Sequence, residues 1–236
     1  MKNKPITFIL YTLMMSCSLF AAKIGTNSIG FGLGMLEYGI EETENGVKTD
    51  YDLDGFAFGL GGNLNIISLE NSNYGLDASF SLVQGLELGP IEGTEADVTS
   101  LTLGFRPHTK LGNTIIFADL GIGYSEIEAY DATASLSADD TAFAAGFGAE
   151  VNIGQLYAQP SLRWIFIGND TYSSGFDLGE QIQLTIPVSY PISEKIDLTF
   201  SYSHTFVDEY SFVDGADSYK YDPYVQFFAI GLDYKY

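Results

Sequence analysis

The chain is poor in the residues that build most catalytic and metal centres. It has one cysteine, Cys17, and two histidines, His108 and His204, in 236 residues. A disulfide framework needs paired thiols, and a Cys- or His-rich metal site needs several such ligands close together, so both are excluded. Basic residues are scarce too: ten Lys and Arg stand against 31 Asp and Glu, a formal net charge of −21. Such a chain repels phosphate backbones, so nucleic acid is not among its expected partners. No long stretch carries the 3.6-residue apolar period of a helix.

What is present points elsewhere. The chain is 46% hydrophobic and 14% aromatic, with 26 glycines, far too apolar for an acidic disordered protein. It opens "MKNKPITFILYTLMMSCSLFAA": two lysines, an apolar run from Ile6 to Phe20, then Ala21-Ala22. A charged head, a short greasy middle and a small-residue exit describe a secretory signal peptide over residues 1–22. The run is shorter than the roughly 20 residues of a spanning helix, which makes a retained anchor the weaker alternative. Cleavage near Ala22 leaves Lys23 as the new N-terminus and removes Cys17. Residues 23–236 then form one domain, a length that all-β barrels routinely reach as a single unit.

Within that domain, period-two alternation recurs ten times. "SIGFGLGM" sets Ile29, Phe31, Leu33 and Met35 against Ser28, Gly30, Gly32 and Gly34. "FAFGLGGNLNI" and "FAAGFGAEVNI" repeat the pattern, and the chain ends on it, with Phe228, Ile230, Leu232, Tyr234 and Tyr236 on one face. A water-soluble sandwich also alternates, but its outer faces carry lysine and glutamate. Here the second face is mostly Gly, Ala, Ser, Thr, Asn and Gln, which suits a barrel wall with lipid outside and a small-residue lumen inside. The pattern predicts an all-β, closed, up-and-down antiparallel transmembrane barrel of ten strands, with eight or twelve as alternatives.

Connections alternate in length. Short ones ("SLENSN", "PHTKLGN", "GQ", "PISE") are expected at one rim, and long loops over 41–54, 85–97, 127–140, 168–179 and 207–223 at the other. Most of the acidic residues fall at the long-loop rim. Aromatic belts are expected at both interfaces: Tyr74, Phe105, Tyr190 and Tyr236 at the turn rim, Tyr124, Phe143, Trp164 and Tyr202 at the loop rim. Pro160 and Pro187 fall inside predicted strands, where a closed barrel has no free edge, so either local bulges or different strand boundaries are expected.

The C-terminal face resembles the assembly signal of bacterial outer-membrane proteins, in which a terminal aromatic and alternating apolar residues are recognised by the barrel-assembly machinery. The whole domain resembles the small porin-like outer-membrane barrels, with OmpA-like and opacity-like barrels as relatives in architecture. That resemblance implies an integral outer-membrane location, with membrane lipid, lipopolysaccharide and the assembly machinery as partners. It implies no cofactor. Ten strands also resemble the omptin proteases, but Tyr202 stands where their aspartate before histidine would sit. The His-x-Ser arrangement of lipid A deacylases fails at Phe206. The expectation is therefore no enzyme and no catalytic or metal residue, with an outer-membrane enzyme built on a rim carboxylate pair as the third and weakest alternative.

Charges on the inward register are the remaining candidates: Arg163, Asp119, Glu150, Asp77 and Arg106, joined by Asp197 and Asp233. An arginine in a narrow lumen needs a carboxylate partner, so these predict either an ion-pair network filling the interior or a constriction that sets ion selectivity. The function expected is a structural barrel or a narrow, cation-favouring porin-like channel. The alternative is a receptor or adhesin acting through the acidic outer loops, which also attract divalent cations diffusely.

Overall fold

Period-two alternation becomes wall strands because a chain in hydrocarbon must satisfy every backbone N–H and C=O internally, and sheet closure does so without leaving an edge. The computed structural model describes residues 22–70, 72–91, 94–130, 135–167, 181–207, 210–214 and 217–236. It contains β1 (Ser28–Glu44), β2 (Val47–Ile67), β3 (Tyr74–Ile91), β4 (Thr94–Leu111), β5 (Thr114–Tyr130) and β6 (Ser135–Ile153). These are followed by β7 (Leu156–Ala158), β8 (Ser161–Ile167), β9 (Gln181–Pro191), β10 (Ile196–Phe206), β11 (Tyr210–Asp214) and β12 (Asp217–Lys235). Wall strands adjacent in sequence pair antiparallel, and β12 returns to β1 from Ser28–Lys235 to Glu44–Tyr219. β7 and β8 form one wall strand, and β11 continues β10 along β12, so the twelve segments make a closed ten-stranded barrel.

The pairing also sets the strand tilt. Starting at Tyr224, cross-strand partners run through Phe206, Ile182, Trp164, Ala145, Leu120, Phe105 and Ala78 to Leu64. Leu64 lies one residue below the Asn63–Ser28 pair, so the circuit returns through Asn27 to Tyr236, whose amide donates to the Asn27 carbonyl at 3.2 Å. The offset from Tyr224 to Tyr236 is twelve residues for ten strands, which tilts them by about 40°.

The wall residues of that circuit from Tyr224 to Leu64 point outward. Phe31, Leu33, Phe56, Phe105, Phe143 and Phe147 are 51% to 78% exposed. Side chains of that size, bare on a continuous belt, are solvated by hydrocarbon. The belt aromatics Tyr74, Tyr190, Tyr236 and Tyr124 lie on the same outer face and are also exposed.

Three sequence expectations are corrected. Where they are described, the outer-rim segments expected as long loops are largely strand: β1 and β2 stay paired up to Glu44–Val47. They turn on Asn45-Gly46, both at positive φ (50° and 83°), the geometry of a two-residue hairpin. β3–β4, β5–β6 and β11–β12 likewise extend upward as paired arms, while 168–179 lies outside the described residues. Alternation of apolar residues marks only the lipid-facing part of a strand; above it, polar residues continue the same pairing.

The prolines produce no bulge; at Pro160 it is the strand boundary that differs, β7 ending at Ala158 and β8 starting at Ser161. Ala158–Val188 and Ser161–Thr185 keep one register across them, as do Val151–Ala158 and Gly148–Ser161 on the other side. Each proline forfeits only its own missing donor, and its carbonyl still accepts: Ala149 N donates to Pro160 at 3.1 Å and Gln159 N to Pro187 at 2.9 Å. The register shift in β2 lies instead between Asn65 and Ile67.

The inward face is also less uniformly small than expected. Leu36, Tyr38, Ile165, Val225 and Phe227 all sit on it and are at most 2% exposed.

The facing assignment predicts opposite outcomes for neighbouring positions. Leu120→Arg, on the lipid side, should lower unfolding free energy by about 2–4 kcal/mol, whereas Thr102→Asn, on the lumen side, should stay within about 0.5 kcal/mol. Urea unfolding of protein folded into vesicles, followed by tryptophan fluorescence, measures both.

Candidate lumen charge cluster

The inward charges divide into groups at different places. Asp119 of β5 is paired across the ladder with Gly146 of β6, which is paired in turn with Arg163 of β8. All three face the lumen, and the glycine between the charges is what lets them meet. A Cβ on Gly146 would sit 3.0 Å from Arg163 Cγ and 2.8 Å from its Cα. With only hydrogen there, the Arg163 side chain crosses β6 and donates to Asp119 Oδ2 from Nε at 2.9 Å and from Nη2 at 2.6 Å.

Arg106 of β4 approaches the same oxygen from the opposite side, Nε to Oδ2 at 3.4 Å, and its guanidinium lies over the Phe117 ring at 5.5 Å from the centroid. That separation is an ion contact rather than a good hydrogen bond, and Arg106 Nε has no hydrogen-bond partner. Two guanidinium groups therefore share one carboxylate that is 4% exposed. A cavity of about 50 Å³ adjoins them, bounded also by Ser79, Ser81, Thr102 and Gly104. It has room for roughly three or four waters.

Asp77 and Glu150 take different partners. Asp77 accepts from Asn63 Nδ2 at 3.0 Å, Asn65 Nδ2 at 2.8 Å and Gly25 N at 2.8 Å. Glu150 accepts from Gln159 Nε2 at 2.8 Å and Ile24 N at 2.9 Å. Both acids thus hold the segment that precedes β1, which crosses the turn-rim mouth of the lumen. The reading from sequence missed this segment because an irregular run of six residues carries no periodic signal.

Asp197 and Asp233 face each other across β10 and β12. Lys235 Nζ reaches Asp197 at 2.8 Å, Tyr157 OH donates to the same carboxylate, and Thr199 Oγ1 donates to Asp233 at 2.8 Å. This layer sits close to the C-terminus, beneath the arginines.

The two histidines lie on opposite faces of the wall. His108, expected in a turn, is in β4, which runs to Leu111 before turning at Gly112. It is buried on the lumen side, with Nδ1 at 2.9 Å from the Arg106 carbonyl. His204 points outward and stacks on Tyr224, centroids 6.2 Å apart. Among the described residues, no group of three or more His, Cys, Asp or Glu side chains is arranged to hold a metal ion.

Comparison with known proteins places this geometry in a broad architectural group. No family model matches the chain, and no curated protein sequence matches it. Solved structures do. The transport unit of the autotransporter AIDA-I from Escherichia coli is similar over 100% of this chain and 98% of its own, at 11% identity and a TM-score of 0.52. The outer membrane protease OmpT from Escherichia coli is similar over 93% and 100%, at 9% identity and a TM-score of 0.51. At such identities the likeness concerns the fold: the chain is a closed β-barrel of the outer-membrane type.

Proposed function

We propose that this barrel is a narrow, non-catalytic ion pore, constricted in the lumen by Asp119 between Arg106 and Arg163 and made cation-favouring by the surplus of inward acids. The observation that supports this reading most directly is the composition of the wall around that cluster. Ser79, Ser81, Thr102, Gly104 and Gly121, together with the apolar Ala22, Phe80 and Ala144, bound a cavity beside the three charges, so water there meets hydroxyls and guanidinium groups on one side. A barrel serving only as an anchor has no need of hydroxyls and glycines beside two guanidinium groups.

The sign of the preference follows from the inward charges among the described residues. Asp77, Asp119, Glu150, Asp197 and Asp233 outnumber Arg106, Arg163 and Lys235, and all five acids are buried. A low-dielectric wall focuses that excess, so cations are favoured. Above the cluster, the inward Leu36, Tyr38 and Phe227 narrow the path with apolar surface, which keeps conductance low. The outer face meets membrane lipid and, at the hairpin rim, lipopolysaccharide.

A second reading rests on a separate observation, the paired arms above the lipid belt. Glu37 lies opposite Asp54 and Glu41 opposite Asp222, with Lys48 already paired to Glu41. Like charges in register are a cost to the sheet, which a basic surface partner would relieve.

Planar-bilayer recording separates the two. The pore reading expects small, cation-preferring current steps. Arg163→Ala should raise the conductance several-fold, and Asp119→Asn, which leaves two unbalanced guanidinium groups, should move the reversal potential toward anions. A barrel that is folded by heat-modifiability and passes no current overturns the pore. The receptor reading makes its own prediction: replacing residues 41–50 with an Asn-Gly turn leaves the barrel folded but abolishes cell attachment to a polylysine-coated surface.

A further inference from the structure

The segment from Ala22 to Asn27 is built into the lumen mouth as closely as a wall strand. Ala22 and Ile24 are 6% and 4% exposed. Asn63 Nδ2 donates to the Thr26 carbonyl at 2.8 Å, Asn27 Oδ1 accepts from Asn65 N at 2.8 Å, and the Asn27 carbonyl accepts from Tyr236 N. The inner end of this strap converges on one carboxylate oxygen. Glu150 Oε2 accepts from Ile24 N at 2.9 Å and from Gln159 Nε2 at 2.8 Å, and the same Nε2 also donates to the Ala22 carbonyl at 2.9 Å. Gln159 Nε2 thus bridges the carbonyl of the Ala22–Lys23 peptide bond to Glu150 Oε2.

Two features of this site are unresolved by its neutral donors. Glu150 is 2% exposed and meets no lysine or arginine among the described residues, and a buried carboxylate without a counter-charge is costly. Gln159 is likewise 2% exposed, and its acceptor Oε1 has no hydrogen-bond partner among the described residues.

We propose that the chain is cut between Ala22 and Lys23, and that the α-ammonium so formed is the buried counter-ion of Glu150, pinning residues 23–27 across the lumen mouth. In the cut, water adds across the peptide bond under an envelope peptidase. Ala22 leaves as a carboxylate with the upstream chain, and the Lys23 nitrogen becomes an ammonium with three donors. One donor pairs with Glu150, a second with Gln159 Oε1, and the site is then balanced in charge and in hydrogen bonds. The Lys23 side chain stays at the mouth, its Nζ 5.9 Å from the Tyr157 ring centroid. This arrangement does not depend on whether the lumen conducts.

The test uses the full chain, expressed and recovered from outer membranes. Terminal sequencing should begin Lys-Ile-Gly. Acetylation with an N-hydroxysuccinimide ester, read by peptide mapping that separates the α-amine from Nζ, should be at least about tenfold slower in the folded barrel than in the heat-unfolded protein. Glu150→Gln should abolish most of that protection. A terminus at any other residue, or equal rates for folded and unfolded wild type, overturns the proposal. Should Glu150→Gln fail to fold, the wild-type comparison still decides it.

Discussion

Closure of β1 onto β12 is the constraint on which the rest of this structure depends. In hydrocarbon, each unpaired backbone group costs several kcal/mol, so a wall with an open edge is not viable at any side-chain composition. Once the seam from Ser28–Lys235 upward is made, the pleat assigns alternate residues to lipid and lumen around the full circuit. The same constraint explains how the wall tolerates Pro160 and Pro187. Each removes one donor, yet neighbouring strands hold the register, and the carbonyls remain paired.

A closed wall creates an interior that must be reconciled with its charges. Asp119, Arg106 and Arg163 meet because Gly146 leaves a crossing over β6. Asp197 and Asp233 come into register because β10 and β12 pair, and Lys235 compensates one of them. Asp77 and Glu150 are reconciled by the strap before β1 rather than by an arginine. The lumen is thus organised by three separate sets of carboxylates, each answered by a different kind of donor. A single network was the simplest expectation from composition, and the tilt of the strands is what separates the sets.

Legibility in the sequence varied with the physical range of the signal. Phe31, Leu33, Phe228 and Ile230 announced the lipid face, because burial in hydrocarbon acts on each residue through its own position in the pleat. Asn45-Gly46 announced a tight hairpin just as locally, but was read inside a long loop because the apolar alternation stops well before it. Leu36, Tyr38 and Phe227 were not distinguishable from lipid-facing residues by type, and only their parity along the strand places them in the lumen.

By itself, the sequence determined a β-barrel wall, its lipid-facing residues and its acidic outer rim, since period and composition are properties of neighbouring residues. The tertiary structure decided which charges touch: that Arg163 reaches Asp119 across Gly146, and that Glu150 holds Ile24. Those contacts join residues 44 and 126 positions apart. They depend on shear and closure of the whole circuit, which are set by the sum of all the pairings.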